Sequence, residues 1–125
     1  MTTRSATRST GDEPIRPYVV KMQILLQTDH NTEGSEALEA HVKHVVEHKL
    51  AHVHDRLTRV EVHIADENAA KSGQEDKRCT MEARIEHHQP IAVTHHAGSV
   101  HQAVDGAADK LARAVDHALD RIRTH

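Results

Sequence analysis

The chain has 125 residues, a formal charge of −3 with histidine neutral, fourteen histidines, no Phe or Trp, and one Tyr. That length gives one domain with an aliphatic core; without the burial that aromatic rings supply, it predicts modest stability, with room for a weak homodimer. A single cysteine, Cys79, excludes an intrachain disulfide and a cysteine-based zinc cluster, while no apolar run reaches the roughly 18 residues of a membrane helix and the N-terminus shows no signal-peptide core, so a cytoplasmic protein with no membrane contact is expected.

Residues 1–17, MTTRSATRSTGDEPIRP, are polar and read as a disordered tail; the domain is expected over 18–125. In YVVKMQILLQT, Met22, Ile24 and Leu26 alternate with Lys21, Gln23 and Gln27, the period of a strand. After a DHNTEG loop, Ser35 is placed to cap a helix expected to run to about His54, with Leu38, Val42, Val45, Val46, Leu50 and Val53 on its apolar side. LTRVEVHIADE alternates as a second strand, and NAAKSGQED is a polar loop. KRCTMEARIEH is a third strand with Cys79, Met81, Ala83 and Ile85 inward. HQP turns the chain into a fourth, PIAVTHHA, and Ser99 caps a last helix reaching about Arg123.

The order β-α-β-β-β-α, with three successive strands forming an antiparallel meander, predicts an α+β two-layer sandwich: a four-stranded sheet with two helices on one face. The other sheet face is expected to stay open and to carry Lys21, Gln23, Arg59, Glu61, His63, Arg78, Glu82, Arg84 and Thr94.

Advancing each residue by about 100° puts His41, His44, His48 and His52 of the first helix within roughly 80° of one another, in a stripe beside the Val/Leu side. Pairs at i, i+4 can share a metal ion, but one helix face supplies only two ligands readily. HVVEH also sets Glu47 directly before His48, not after His44 as HExxH requires, so neither a metal nor a cofactor is assigned. On the last helix the charges are sorted by sign. Asp105, Asp109, Asp116 and Asp120 line one edge, and Lys110, Arg113, His117 and Arg121 line the other. Cations spaced about one turn apart can follow a phosphate backbone. The acidic total is a poor match to nucleic acid, yet fourteen imidazoles can offset it as pH falls.

There is no GxSxG, P-loop or dinucleotide-binding glycine turn. Cys79 faces inward, where thiols are usually inert, and Asp29-His30 lies in a polar loop, so no catalytic activity is expected.

The element order, MQI…T, SEALEAHV, DRLTRVEVHI and above all AVDGAADKLARAV resemble the ribosome hibernation promoting factor and ribosome-associated inhibitor family, over about residues 20–123. The resemblance implies a cytoplasmic stress factor that binds the small ribosomal subunit and its rRNA where mRNA and tRNA anticodon ends would lie, and so inhibits translation. It also implies a last helix that meets rRNA through a DKLxRxLxxK-like pattern. Asp109, Lys110, Leu111 and Arg113 match that pattern, His117 stands where another cation is usual, and Arg121 continues the row. Two departures stand out: the first helix is His- and Glu-rich where the family is often basic, and Val100, His101 and Gln102 occupy a place where an aromatic is common. The dimerisation domain of the family's long form is absent from the sequence, so ribosome pairing through it is not expected. On this reading the His stripe joins the rRNA contact and binding tightens as pH falls. The alternative is a His-rich protein-interaction or metal-buffering module that keeps the fold but not strong ribosome binding.

Overall fold

The computed structural model describes residues 22–30, 32–67 and 77–123. The expected tail over 1–17, Lys21 and the loop over 68–76 lie outside the described residues.

Strand β1 (Gln23–Thr28) leads into helix α1 (Glu36–Lys49), a short 3-10 helix (Ala51–Arg56), strands β2 (Leu57–Asp66), β3 (Lys77–Ile85) and β4 (Ile91–Ala97), and helix α2 (Val100–Arg123). The sheet order is β1-β2-β3-β4. β1 pairs with β2 in parallel, which requires the α1 crossover, and β2–β3 and β3–β4 are antiparallel. Both helices cover one face of the sheet, so the expected two-layer α+β architecture is the one observed.

Register explains the core. Val60 sits opposite Ala83, Val62 opposite Met81 and Ile64 opposite Cys79; all six are buried. In a period-two element, one slip would turn every one of them to solvent. The alternate set on β2 and β3, including Arg59, Glu61, His63, Arg78, Glu82 and Arg84, lies on the open face as expected, and Leu25 of β1 is exposed there too. Like charges meet across the strands, Arg59 beside Arg84 and Glu61 beside Glu82, an arrangement that costs stability. Arg59 offsets part of this by bringing Nε to 2.9 Å from Glu61 Oε2.

Ser35 Oγ accepts from Leu38 N at 3.1 Å, and Ser99 Oγ accepts from Gln102 N at 3.1 Å. Both serines cap as the sequence suggested, each satisfying one of the donors that a helix start leaves open. α1 is shorter than expected. It ends at Lys49, and the chain tightens into the 3-10 turn rather than continuing to His54. Leu50 and Val53 are buried on either side of the junction, and Leu57 follows them into the core as β2 begins. A straight α-helix would carry the chain onward, whereas the 3-10 turn brings it back to pair with β1.

α2 lies close to the sheet because its underside is small: Ala103, Ala107 and Ala108 are buried beside Val104, Leu111 and Val115. The closest approach is at Gly106. A Cβ there would lie 2.2 Å from Cδ2 of His95 on β4, so the half-buried imidazole occupies the space a side chain would need. Gly106 therefore stands mid-helix despite a cost of about 1 kcal/mol relative to Ala.

Two substitutions test this contact. Gly106→Ala is expected to lower the melting temperature, because overpacking of ~1–3 kcal/mol outweighs the gain in helix propensity. Adding His95→Ala should recover much of the loss, as read by thermal denaturation of both single variants and the double variant. At the β3–β4 turn, His88 N donates to Ile85 O at 3.0 Å and His87 has φ 69°, a backbone region favouring glycine. His87→Gly should leave the fold intact and raise stability by up to about 1 kcal/mol in a denaturant titration.

Candidate polyanion-binding face

The two helices run side by side in the same sense, and three charge pairs join them. His41 Nε2 is 3.2 Å from Asp105 Oδ1, Lys49 Nζ is 2.7 Å from Asp109 Oδ1, and His52 Nε2 is 2.8 Å from Asp116 Oδ1. The acidic edge of α2 is thus turned towards α1. Asp120, the last residue of that edge, pairs within α2 with Arg123.

The basic edge lies on the other side of α2, towards β4. Arg113 and His117 are exposed and take part in none of the described hydrogen bonds or ion pairs. Lys110, also exposed, donates through Nζ to the Thr94 carbonyl of β4 at 3.0 Å. β4 is the last strand on that side of the sheet, so Lys110 also covers part of a strand edge, a common use of lysine. Arg121 is exposed near the end of α2. It lines a groove of about 690 Å³ with His88 and Gln89 of the β3–β4 turn and the apolar Ile85, Pro90, Ile91, Ala118 and Ile122. Lys110, Arg113, His117 and Arg121 therefore form one continuous row along a rigid helix.

The four stripe histidines do not form one uniform surface. His41 and His52 face aspartates of α2. His52 does so from the 3-10 turn, so a wheel extended past Lys49 placed it correctly beside the helix but on the wrong element. His44 and His48 stand outward, their rings stacked at 6.2 Å between centroids with 10° between planes. Sequence reasoning did not anticipate His101, whose ring meets His41 edge-on at 4.2 Å, nor the role of Lys49. A helical wheel hides Lys49: at about 100° per residue it falls between Leu38 and Val42 on the apolar side, and only the neighbouring α2 shows why a cation stands there.

The remaining candidates have structural partners. Asp29 Oδ2 accepts from Asp66 N at 3.2 Å, which ties the first loop to the end of β2. Cys79 is fully buried, and burial pushes its thiol up to about 12. Among the described residues, no three His, Cys, Asp or Glu side chains come together as a metal site, and no helix is long and apolar enough to cross a membrane.

The family model described as sigma 54 modulation protein / S30EA ribosomal protein matches residues 26–123. The chain belongs to that family. Its members are ribosome-associated factors. Among solved structures, it is similar to the N-terminal domain of Protein Y from Thermus thermophilus. That match has a TM-score of 0.61 at 16% identity over 77% of this chain and 98% of the other. A ribosomal subunit interface protein from Coxiella burnetii is similar with a TM-score of 0.55 at 15% identity, over 79% of this chain and 97% of the other. At these identities the likeness is one of fold. No curated protein matches in sequence.

For this S30EA family member, the burial of Cys79 sets a chemical expectation. A thiol held protonated up to about pH 12 supplies almost no thiolate at neutral or mildly alkaline pH. The native protein should therefore resist alkylation by iodoacetamide between about pH 7 and 9 and react fully once unfolded in guanidinium. Rapid native labelling, followed by mass spectrometry, would contradict the packing described here.

Proposed function

We propose that this protein binds the small ribosomal subunit in the cytoplasm, contacts rRNA in the channel used by mRNA and tRNA, and holds idle ribosomes out of translation under stress. The row Lys110, Arg113, His117 and Arg121 is the main contact, with His41, His44, His48 and His52 beside it on the α1 side. Binding tightens as pH falls, because imidazolium adds positive charge to a molecule that is otherwise slightly acidic.

The observation that carries this reading is the separation of charge on α2. Its acidic edge is engaged by Lys49, by the imidazoles of His41 and His52 and by Arg123, while Arg113 and His117 project without a described carboxylate partner. An acidic total charge does not then by itself decide docking locally. Attraction over a few ångströms depends on which charges face the polyanion, since more distant ones are screened beyond ~8 Å at physiological salt. Family membership supports the ribosome as the partner, and the absence of a described three-ligand metal cluster leaves the metal-buffering alternative without a supporting contact.

Co-sedimentation with purified small subunits tests the assignment. Binding should fall steeply with salt, and Arg113→Glu with Arg121→Glu should weaken it on the order of tenfold or more and reduce the salt slope by about two. Occupancy unaffected by that double reversal would remove the row from the interface. At constant salt, wild-type occupancy should rise between about pH 7.5 and 6; equal occupancy at the two ends would remove the pH element.

A further inference from the structure

Histidines near the binding face differ in what a proton would bring each of them. At His41 the facing groups are Asp105, with its Oδ1 3.2 Å from Nε2, and the ring of His101. His52 faces Asp116, whose Oδ1 is 2.8 Å from Nε2. Asp55 and Arg56 follow His52 in its own turn, and Arg113 and Asp120 lie one turn to either side of Asp116 on α2. Lys49 already holds Asp109 between these two contacts. His44 and His48, by contrast, face each other across a turn of α1.

Protonation of His41 or His52 therefore completes an ion pair. Protonation of both His44 and His48 places two like charges at i, i+4, which is unfavourable. The two His–Asp contacts have the same spacing, 64 residues apart in sequence, and they bracket the one pair in this seam that carries charge at any ordinary pH. Asp105 and Asp116 are thus the carboxylates of the α2 edge whose neutralisation waits on a histidine proton.

We infer that His41 and His52 regulate the polyanion-binding face indirectly: when protonated, they cancel Asp105 and Asp116, which otherwise oppose a polyanion docking along Arg113 and His117. This rests on the polyanion reading above and names its regulatory residues. The exposed pair His44 and His48 contributes little to the pH response, although it is the more conspicuous in sequence. Protonation also draws α1 and α2 together, so the seam tightens as the face becomes more cationic.

The test compares wild type, His41→Gln/His52→Gln, His44→Gln/His48→Gln and Asp105→Asn/Asp116→Asn at about pH 7.5 and 6 and fixed ionic strength. Binding to fluorescein-labelled poly(U) RNA is read by anisotropy, alongside melting temperature without RNA. Wild type and His44→Gln/His48→Gln should bind several-fold more tightly at the lower pH, whereas His41→Gln/His52→Gln should lose most of that response and keep only the part due to His117. Asp105→Asn/Asp116→Asn should bind at the higher pH about as wild type does at the lower. In the RNA-free arm, wild type should gain melting temperature relative to Asp105→Asn/Asp116→Asn as pH falls. A pH response that follows His44 and His48 would overturn the inference, and so would a melting temperature whose pH dependence ignores the aspartates. If no variant binds RNA at either pH, the polyanion reading fails, and the melting arm still decides whether the seam responds to protons.

Discussion

The contact of α2's aspartates with His41, Lys49 and His52 is the constraint on which the proposed binding face depends. A 24-residue helix with charges of both signs on its solvent side would present a mixed and nearly neutral face if it stood alone. Laying α1 along the acidic edge changes that. Asp109 spends its charge on Lys49, Asp105 and Asp116 contact His41 and His52, whose protonation completes those pairs, and the opposite edge keeps its cations. Exposed ion pairs contribute little to folding, typically ~0–1 kcal/mol each. Their value here lies in arranging charge, while the aliphatic side of each helix supplies most of the adhesion to the sheet.

On the proposed reading, the same geometry reconciles an acidic total charge with membership of a ribosome-associated family. Net charge governs solubility and long-range encounter, but the potential a docking partner meets is set by nearby groups. Sorting the charges by edge, and giving the acidic edge an intramolecular partner, separates these two scales. The open face of the sheet shows no such sorting. Its arginines and glutamates are mixed along each strand, with Arg59 close to Glu61 and Arg78 bonded to Glu67, so it offers no continuous row of one sign.

Much of the architecture was legible because it is local. Alternation marked the first three strands and the HQP turn the fourth, Ser35 and Ser99 marked the helix starts, and the inward position of Cys79 followed from its place with Met81, Ala83 and Ile85 in a period-two pattern. What was not legible was non-local or geometrically ambiguous. Leu50, Val53 and Leu57 are spaced three and four apart, which suits a continued α-helix and a 3-10 turn leading into a strand equally well; only the need for β2 to pair with β1 decides between them. The sorting of charge on α2 was visible in the sequence, but its reason was not, because each partner lies some sixty residues away on another element. Gly106 likewise reads as a weak point of a helix until His95, on a strand, is seen to fill the space beside it.

The parallel pairing of β1 with β2 carries one more consequence. β2, β3, β4 and α2 follow one another with short-range contacts, whereas β1 can join the sheet only after the chain has closed across α1 and the 3-10 turn. Loop closure of this kind is a late event in folding, and a unit that docks last on the edge of a sheet is usually the first to detach. Were β1, α1 and the 3-10 turn to lift away together, Asp105, Asp109 and Asp116 would lose His41, Lys49 and His52 at once, and bare carboxylates would stand beside the cationic edge of the proposed binding face.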